Sequence, residues 1–432
     1  MNHGFGQLHI KKRSFPQWLC LAIFALALCM SFLIDTLNVP SFIKYSVDVM
    51  WVVLLFMMII GKRIQIKKNV TLFTILVFVW LIYVTFVYLF NYQSIFYFLW
   101  GIRNNFRFYA VFFAFATFLE EDDVYTSLRF VDVLFWINIP VTLFQFFVLG
   151  YKQDYLGGIF GVSRGCNAFT TILFALTVTI SLIRYFDGKE NGVICLLKSG
   201  VALIFAAMAE LKFFFLLFVI MVILTMVMTK FSWKKLVVLI LFAILLSFAG
   251  TILTNLFGSN DTLSFQRIIE LITSENYATG EDLGRFTAIP NISRKILTRW
   301  YERLFGMGIG NCDTSAFAIC NTPFYQTYEY LHYTWFSSAF LFLETGYVGL
   351  IFNLIFYFLV GFLAIKKIKS GKGNKLFCQI AVVFAVLCLI LTFYNSALRK
   401  EVGYIAYFSL ALPFIGADEN DNEYMPAYAD NI

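Results

Sequence analysis

Long apolar runs, separated by short polar connections, are the main pattern of this chain. A run of about 18 or more apolar residues can cross the roughly 30 Å hydrocarbon core of a bilayer as a helix. The pattern predicts twelve spans, at 16–34, 42–61, 70–90, 104–119, 124–149, 168–187, 192–209, 213–229, 235–257, 336–364, 376–394 and 402–416. The predicted fold class is therefore all-α, a polytopic membrane bundle of about twelve transmembrane helices.

One long polar segment interrupts this pattern between the ninth and tenth runs. It divides the chain into a transmembrane bundle over 1–257, a large connection over 258–335, further spans over 336–416 and an acidic tail over 417–432. The large connection is the first place to look for a functional site, because no other connection between spans is long and polar.

Within this connection, a helical repeat runs from 291 to 304. Apolar residues recur every four positions, at Ile292, Ile296, Trp300 and Leu304, and cations recur at the same spacing, at Lys295, Arg299 and Arg303. The spacing predicts one helix that starts just after Pro290 and lies along the membrane surface. Its cations would bind lipid headgroups or, alternatively, an anionic substrate.

The distribution of cations predicts the orientation of the spans. Alternation of the twelve runs places 18 lysines and arginines of the polar connections on the side of both termini and 8 on the other side. Cationic connections stay in the cytoplasm, so both termini are expected to be cytoplasmic and the large connection to be outside. The first run, 16–34, lacks a small-residue cleavage site and is expected to be an uncleaved span.

Composition agrees with a membrane protein. Hydrophobic residues make up 60% of the chain and charged residues 14%, which excludes an ordinary soluble domain. The net charge of +7 does not indicate nucleic-acid binding, because the cations lie in short connections.

Cys312 and Cys320 are close enough in sequence for a disulfide on an oxidising side, and the sequence leaves this open.

His332 is the main candidate for chemistry. It is the only histidine expected on the outer side, because His3 and His9 belong to the N-terminal tail, so a histidine-based metal site is not expected. Imidazole titrates near neutrality and suits proton transfer, although a lone histidine is more often structural.

Glu344 follows His332 twelve residues later, roughly 18 Å along a continuous helix, so it is expected to support the site or to pack beside it.

Arginines on the outer side are the candidates for anion binding. Arg164 lies in a glycine-rich connection and Arg285 in the large one, while Arg103 and Arg107, four residues apart, lie at the outer end of the fourth span. Arg299 and Arg303 belong to the predicted surface helix. Glu210 and Lys212 share a tight outer turn, where they could also pair with each other.

The chain shows no serine nucleophile elbow, no paired inverting carboxylates and no nucleotide-binding fingerprint, and FGMGIG at 305–310 is expected to be a turn. A site of arginines and one imidazole suits a substrate that is already activated. A lipid-linked diphosphate is such a substrate, because arginines can stabilise the charge of the departing diphosphate while a base accepts a hydroxyl proton.

The chain resembles the bacterial O-antigen and capsular polysaccharide polymerases, within the superfamily that includes the O-antigen ligases. The resemblance covers nearly the whole chain and depends on the order of its local motifs: GIRNNFRFY at 101–109, GGIFGVSRGCNAF at 157–169, AELKFF at 209–214, LGRF at 283–286, LFGMGIGN at 304–311, and His332 followed by FLETGYVGLIFNL at 342–354. The resemblance implies a GT-C type glycosyltransferase that extends a glycan on undecaprenyl diphosphate, without a metal or other cofactor. It also implies that Arg164 and Arg285 contact diphosphate or glycan and that His332 orients or deprotonates the acceptor hydroxyl.

The resemblance implies a location in the bacterial cytoplasmic membrane, with a chain-length regulator and a flippase as partners. Three alternatives remain open: an O-antigen ligase, a flippase for the same lipid-linked unit, and a membrane O-acyltransferase. A flippase should carry ionisable residues in mid-span, and spans six to nine are almost free of them. An acyltransferase would take its acyl donor from the cytoplasmic side.

Overall fold

The protein is all-helical throughout the part that the structure describes. A computed structural model describes residues 13–60, 70–229, 233–257, 282–315 and 317–416, and these contain no β-strand. His3, His9 and the acidic tail lie outside the described residues, as does 258–281 of the large connection. The α-helices are α1 Phe15–Asp35, α2 Lys44–Ile60, α3 Thr71–Phe90, α4 Ile95–Phe118, α5 Glu121–Phe147, α6 Asn167–Phe186, α7 Gly192–Met208, α8 Lys212–Val227, α9 Trp233–Phe257, α10 Ala288–Lys295, α11 Trp300–Phe305, α12 Pro323–Tyr328, α13 Ser337–Ser370, α14 Lys375–Tyr394 and α15 Gly403–Ala411.

Each of the twelve predicted runs corresponds to a helix, and eight helices among the described residues are long and apolar enough to cross a membrane. These eight lie at Phe15–Asp35, Ser41–Ile60, Thr71–Phe90, Glu121–Phe147, Asn167–Phe186, Val237–Leu256, Ser337–Ser370 and Lys375–Tyr394. Helices α7, α8 and α15 are apolar but shorter, and α4 is not among the eight. The all-helical membrane fold is therefore supported, while the count of twelve crossings stays a prediction.

Helices α6 and α14 form the centre of the bundle. In the most apolar window of each, 72% of the residues are buried, compared with 11% for the helix that ends at Ile60. Helix α14 packs against α13, α15 and α6, whereas α2 and α3 leave large apolar side chains such as Phe56 and Phe78 exposed. Exposed apolar faces of this kind suit contact with lipid.

Connections that alternation assigns to one side of the bundle contact one another in the structure. At the end near the N-terminus of α1, Arg13 pairs with Asp123 at 2.6 Å and Lys375 pairs with Asp187 at 2.6 Å. At the opposite end, which we call the site end, contacts join the connections 36–43, 91–94, 148–166, 209–211, 282–336 and 395–402, or the helix ends beside them. The predicted outward arginines and His332 belong to connections or helices that reach this end.

Helix α13 is broken near its beginning. Its 34 residues would extend about 50 Å as a straight helix, which is longer than a hydrocarbon core. Gly346 interrupts it with φ 62° and ψ −166°, and every residue from 337 to 346 is buried. The first part of α13 therefore lies inside the protein rather than facing lipid.

The predicted surface helix over 291–304 is wrong as a single element. Helix α10 starts at Ala288, so that Pro290 lies within its first turn, where proline is tolerated. The helix ends before Ile296, and Arg299 is extended, with its N–H bonded to the Glu302 carboxylate 3.1 Å away at the start of α11. Because two helices replace one, Lys295, Arg299 and Arg303 do not form a continuous helical stripe.

Candidate functional site

His332 has an unusual backbone conformation at the site end. It lies between two 3₁₀ turns, Glu329–Leu331 and Tyr333–Trp335, with φ 52° and ψ 27°. This left-handed region is uncommon for residues other than glycine and is more favourable for asparagine, aspartate and histidine than for most others. The imidazole lies 4.0 Å from the Trp335 ring, centroid to centroid, and its buried Nδ1 has no hydrogen-bond partner among the described residues.

Arg164 reaches the same tryptophan from a distant part of the chain. Its guanidinium carbon lies 5.5 Å from the Trp335 ring centroid, within the range of a cation–π contact. We call Arg164, His332 and Trp335 the Trp335 cluster. It combines a solvent-exposed cation, a titratable imidazole and an aromatic surface.

Arg285 belongs to a neighbouring aromatic group, the Tyr394 cluster. Its guanidinium carbon lies 3.9 Å from the Tyr394 ring centroid, and Nη1 donates to the Tyr394 carbonyl at 3.4 Å. Tyr394 in turn stacks on Phe213, with centroids 3.6 Å apart and an interplanar angle of 7°. The guanidinium is therefore held by the end of α14 and the start of α8.

Two main-chain hydrogen bonds join the segments that carry these clusters. The Leu283 N–H donates to the Leu331 carbonyl at 3.1 Å, directly before His332. The Ser337 N–H donates to the Asn395 carbonyl at 3.0 Å, directly after Tyr394. Arg164, Arg285 and His332, three residues singled out from the sequence, are therefore brought to one region of the fold.

Glu344 does not contact His332 but holds the glycine-rich turn. It is fully buried, and its carboxylate accepts the Gly310 N–H at 2.9 Å and the Asn105 side-chain amide at 3.4 Å. The segment FGMGIG is a turn, as predicted, and it packs against α4, where a Cβ on Gly101 would lie 2.5 Å from the Gly310 nitrogen. Glu344 thus supports the site end through the main chain of this turn.

A buried ion pair lies beside this turn. The Arg399 guanidinium stands 4.0 Å from the Asp313 carboxylate and 3.1 Å from the Phe340 ring centroid. Burial lowers the pKa of Arg399, and the nearby carboxylates oppose this effect. Asp313 also accepts the Asn104 amide at 2.6 Å, which ties the large connection to α4.

The predicted position of Arg103 and Arg107 at a span end is wrong. Helix α4 starts at Ile95, about two turns before the predicted run. The prediction missed this start because polar residues interrupt the apolar pattern of the helix. Arg103 bonds to Asp48 of α2 through two guanidinium nitrogens. Arg107 is buried and donates to the Arg399 carbonyl at 3.0 Å. Arg103 thus joins α4 to α2, and Arg107 joins α4 to the connection after α14.

The remaining candidates lie at the surface and make local contacts. Arg299 bonds to the Tyr301 hydroxyl, with its side chain 68% exposed, and Arg303 donates to the Leu297 carbonyl at 2.9 Å. Glu210 and Lys212 pair with each other at 3.0 Å, as the simpler reading of that turn predicted. Such exposed pairs contribute little to stability.

The sequence reasoning missed several residues of this region. Trp335 and Tyr394 organise the two clusters, and Asp313 and Arg399 form the buried pair. The run Arg399-Lys400-Glu401 between two apolar segments was a usable signal, because three charges there are unusual in so apolar a chain. These cations had entered only the prediction of orientation.

Within the described ranges, the cysteines and acidic groups form neither a disulfide nor a metal site. All eight cysteines are free thiols, so the possible Cys312–Cys320 disulfide is not formed in the structure. Among the described residues, no group of three or more histidines, cysteines, aspartates or glutamates is arranged to hold a metal ion.

The carboxyl of Glu401 allows the effect of neighbouring charges at the site end to be measured. Burial alone would raise the pKa of its carboxyl, but the charges of Arg107, Lys44 and Lys400 outweigh burial and hold the pKa below its usual value. The ionised carboxylate therefore stabilises the fold above about pH 4.3, and this contribution is lost as pH falls through the lowered pKa. Thermal unfolding in detergent should show Glu401→Gln less stable than the natural chain at pH 7, with the difference disappearing in acid. A constant difference across this range would contradict the assignment.

In comparisons with known proteins, no protein-family model and no curated protein matches the chain. Any function proposed for the chain therefore depends on its sequence and on the geometry of the site end.

Proposed function

We propose that this chain is a membrane glycosyltransferase that polymerises undecaprenyl-diphosphate-linked repeat units into O-antigen, capsular or exopolysaccharide. It would act at the outer face of the bacterial cytoplasmic membrane, as a GT-C type bundle of about twelve spans with both termini in the cytoplasm. The observation that carries the proposal is the Trp335 cluster, in which an exposed guanidinium and a titratable imidazole share one aromatic ring.

The chemistry follows from the groups in this region. The acceptor hydroxyl oxygen forms a bond to the anomeric carbon of the donor glycan, and the bond from that carbon to the diphosphate breaks. The electron pair leaves with the diphosphate, whose charge Arg164 and Arg285 would stabilise. The hydroxyl proton passes to His332, acting as general base. Trp335 would orient both groups, because it contacts Arg164 and His332.

The surroundings of the site also suit a lipid-linked substrate. Apolar side chains are exposed near the site end, such as Phe42 in the connection before α2 and Phe86 and Phe90 in α3. A prenyl chain could lie along this surface while its diphosphate remains at the polar end of the bundle. The lipid bilayer is then both solvent for the protein and the source of its substrate.

Purified protein should test this proposal directly. When it is incubated with lipid-linked repeat units, we expect a ladder of products that differ by one repeat. A single transfer to a lipid A core acceptor would instead indicate a ligase, and movement of the unit across a vesicle membrane without any new glycosidic bond would indicate a flippase. Either result would overturn the polymerase assignment.

A further inference from the structure

A cavity of about 200 Å³ opens at the site end, next to the Trp335 cluster. Three cations line it, and each comes from a different part of the chain: Lys44 from the start of α2, Arg164 from the connection before α6, and Lys400 from the connection after α14. Asp35 and Glu401 line it as well. The cavity was not foreseen from the sequence, because no local pattern joins these residues.

The three cations are available to a ligand. Within the described part of the chain none of their side chains forms a salt bridge within 4.0 Å, and all three are solvent-exposed. Lys44 and Lys400 interact electrostatically with Glu401, and Arg164 contacts the Trp335 ring. Asp35 is already engaged, because its carboxylate accepts the Ser163 N–H at 3.3 Å. Three cations and two carboxylates line the cavity, so one positive charge has no opposite charge in the lining, and this arrangement favours a bound anion.

The lowered pKa of the Glu401 carboxyl also supports the binding of an anion in this cavity. The charges of Arg107, Lys44 and Lys400 hold the pKa of this carboxyl low in spite of its burial. The surroundings of Glu401 are therefore net positive, with Lys44 and Lys400 of the cavity and Arg107 outside it contributing. An anion with two or more charges, such as a diphosphate, would gain more from these surroundings than a single carboxylate would.

Apolar residues also line the cavity, namely Ile34 and Phe169. The connection between α1 and α2, which lies between the cavity residues Asp35 and Lys44 in the chain, exposes Leu37 by 57% and Phe42 by 69%. An anion that carries a long hydrocarbon chain would therefore find a cationic cavity for its head and an apolar surface for its tail. A free phosphate would use only the first of these.

We infer that this cavity binds the diphosphate of a prenyl-diphosphate lipid, with Lys44 and Lys400 contacting the phosphate oxygens together with Arg164. The inference rests on the proposed function for the identity of the lipid carrier, and it adds two lysines that belong to neither aromatic cluster. Ammonium groups suit this task, because lysine binds phosphate as a compact charge.

Binding measurements in detergent test the inference without relying on catalysis. The probes are farnesyl diphosphate and inorganic pyrophosphate, and the variants are Lys44→Ala, Lys400→Ala and their combination. We expect the combination to raise the Kd for farnesyl diphosphate at least ~10-fold, because two charge-assisted contacts are lost. Lys152→Ala is the matched control, since Lys152 is an exposed lysine of the same connection as Arg164 but does not line the cavity.

Competition distinguishes the possible sources of the phosphate. Pyrophosphate should displace farnesyl diphosphate, whereas nanodiscs with phosphatidylglycerol should compete no better than nanodiscs with phosphatidylcholine. Equal Kd values for the natural chain and the double variant, equal weakening by Lys152→Ala, or strong competition by phosphatidylglycerol would each overturn the inference. If Lys400→Ala does not fold, Lys44→Ala alone decides, because Lys44 is exposed at the start of α2.

The two proposals can fail separately. A protein that binds farnesyl diphosphate through Lys44 and Lys400 but forms no glycan would retain the cavity assignment and lose the polymerase function. A protein that forms a ladder equally well with both lysines replaced would retain the function and lose the cavity assignment.

Discussion

Replacing His332 by asparagine is expected to lower polymer formation about 100-fold or more. A positioned general base contributes roughly 10²–10⁴ in rate, and the asparagine amide cannot accept the proton of a hydroxyl as a base. Asparagine is the informative substitution, because it tolerates the left-handed conformation that His332 adopts with φ 52°. The measurement is the rate at which purified protein extends lipid-linked repeat units.

A second titratable residue of the same segment serves as the control. Glu329, three residues before His332, is exposed, and Glu329→Gln should leave the rate unchanged. Binding of farnesyl diphosphate should remain normal in His332→Asn, because His332 does not line the cavity. Full-length polymer made at the natural rate by His332→Asn would show that the imidazole has no catalytic role.

Replacing Gly310 by alanine is expected to destabilise the protein by roughly 2–5 kcal/mol, the sum of a strained backbone and an overpacked contact. Gly310 has φ 85°, and a Cβ there would overlap the carbonyl oxygen of Tyr97 in α4. Its N–H also donates to Glu344 at 2.9 Å, so that a shift of this turn would leave a buried carboxylate without its main-chain partner. The measurement is thermal unfolding in detergent.

Gly371 offers a matched control for this substitution. It also has a left-handed conformation, with φ 69°, but no atom lies within 4 Å of a Cβ built there. Gly371→Ala should therefore lose only about 1–2 kcal/mol from backbone strain. Equal destabilisation by the two substitutions would mean that the close approach of the turn to α4 has no energetic importance.

The sequence predicted the helices well where an apolar run is bounded by charges or turns. The run 376–394 corresponds to Lys375–Tyr394, and the run 16–34 corresponds to Phe15–Asp35. The prediction failed where polar residues enter a helix or where a periodic pattern crosses a break. Helix α4 was placed too late because Arg103 and Arg107 interrupt its apolar pattern. The four-residue repeat after Pro290 predicted one helix where the structure has two short ones. Spacing alone does not show where the backbone turns.

The sequence predicted which residues belong to the candidate site, but it did not predict which side chains they contact. His332, Arg164 and Arg285 were singled out because charged and titratable groups are rare in so apolar a chain. Their aromatic partners could not be singled out, since the chain has 53 phenylalanines, 23 tyrosines and 8 tryptophans, any of which could lie beside them. Glu344 was expected to support the site, and its partner proved to be the main chain of Gly310.

The sequence by itself determined that this is a helical protein with apolar faces suited to a membrane, because hydrophobic transfer and helical periodicity depend on residues close together in the chain. Only the tertiary structure decided that Arg164 meets Trp335 and that Lys44 and Lys400 share a cavity with it. These contacts join residues more than 100 positions apart, and they depend on how α1, α6 and α14 pack, which no local pattern of polar and apolar residues specifies.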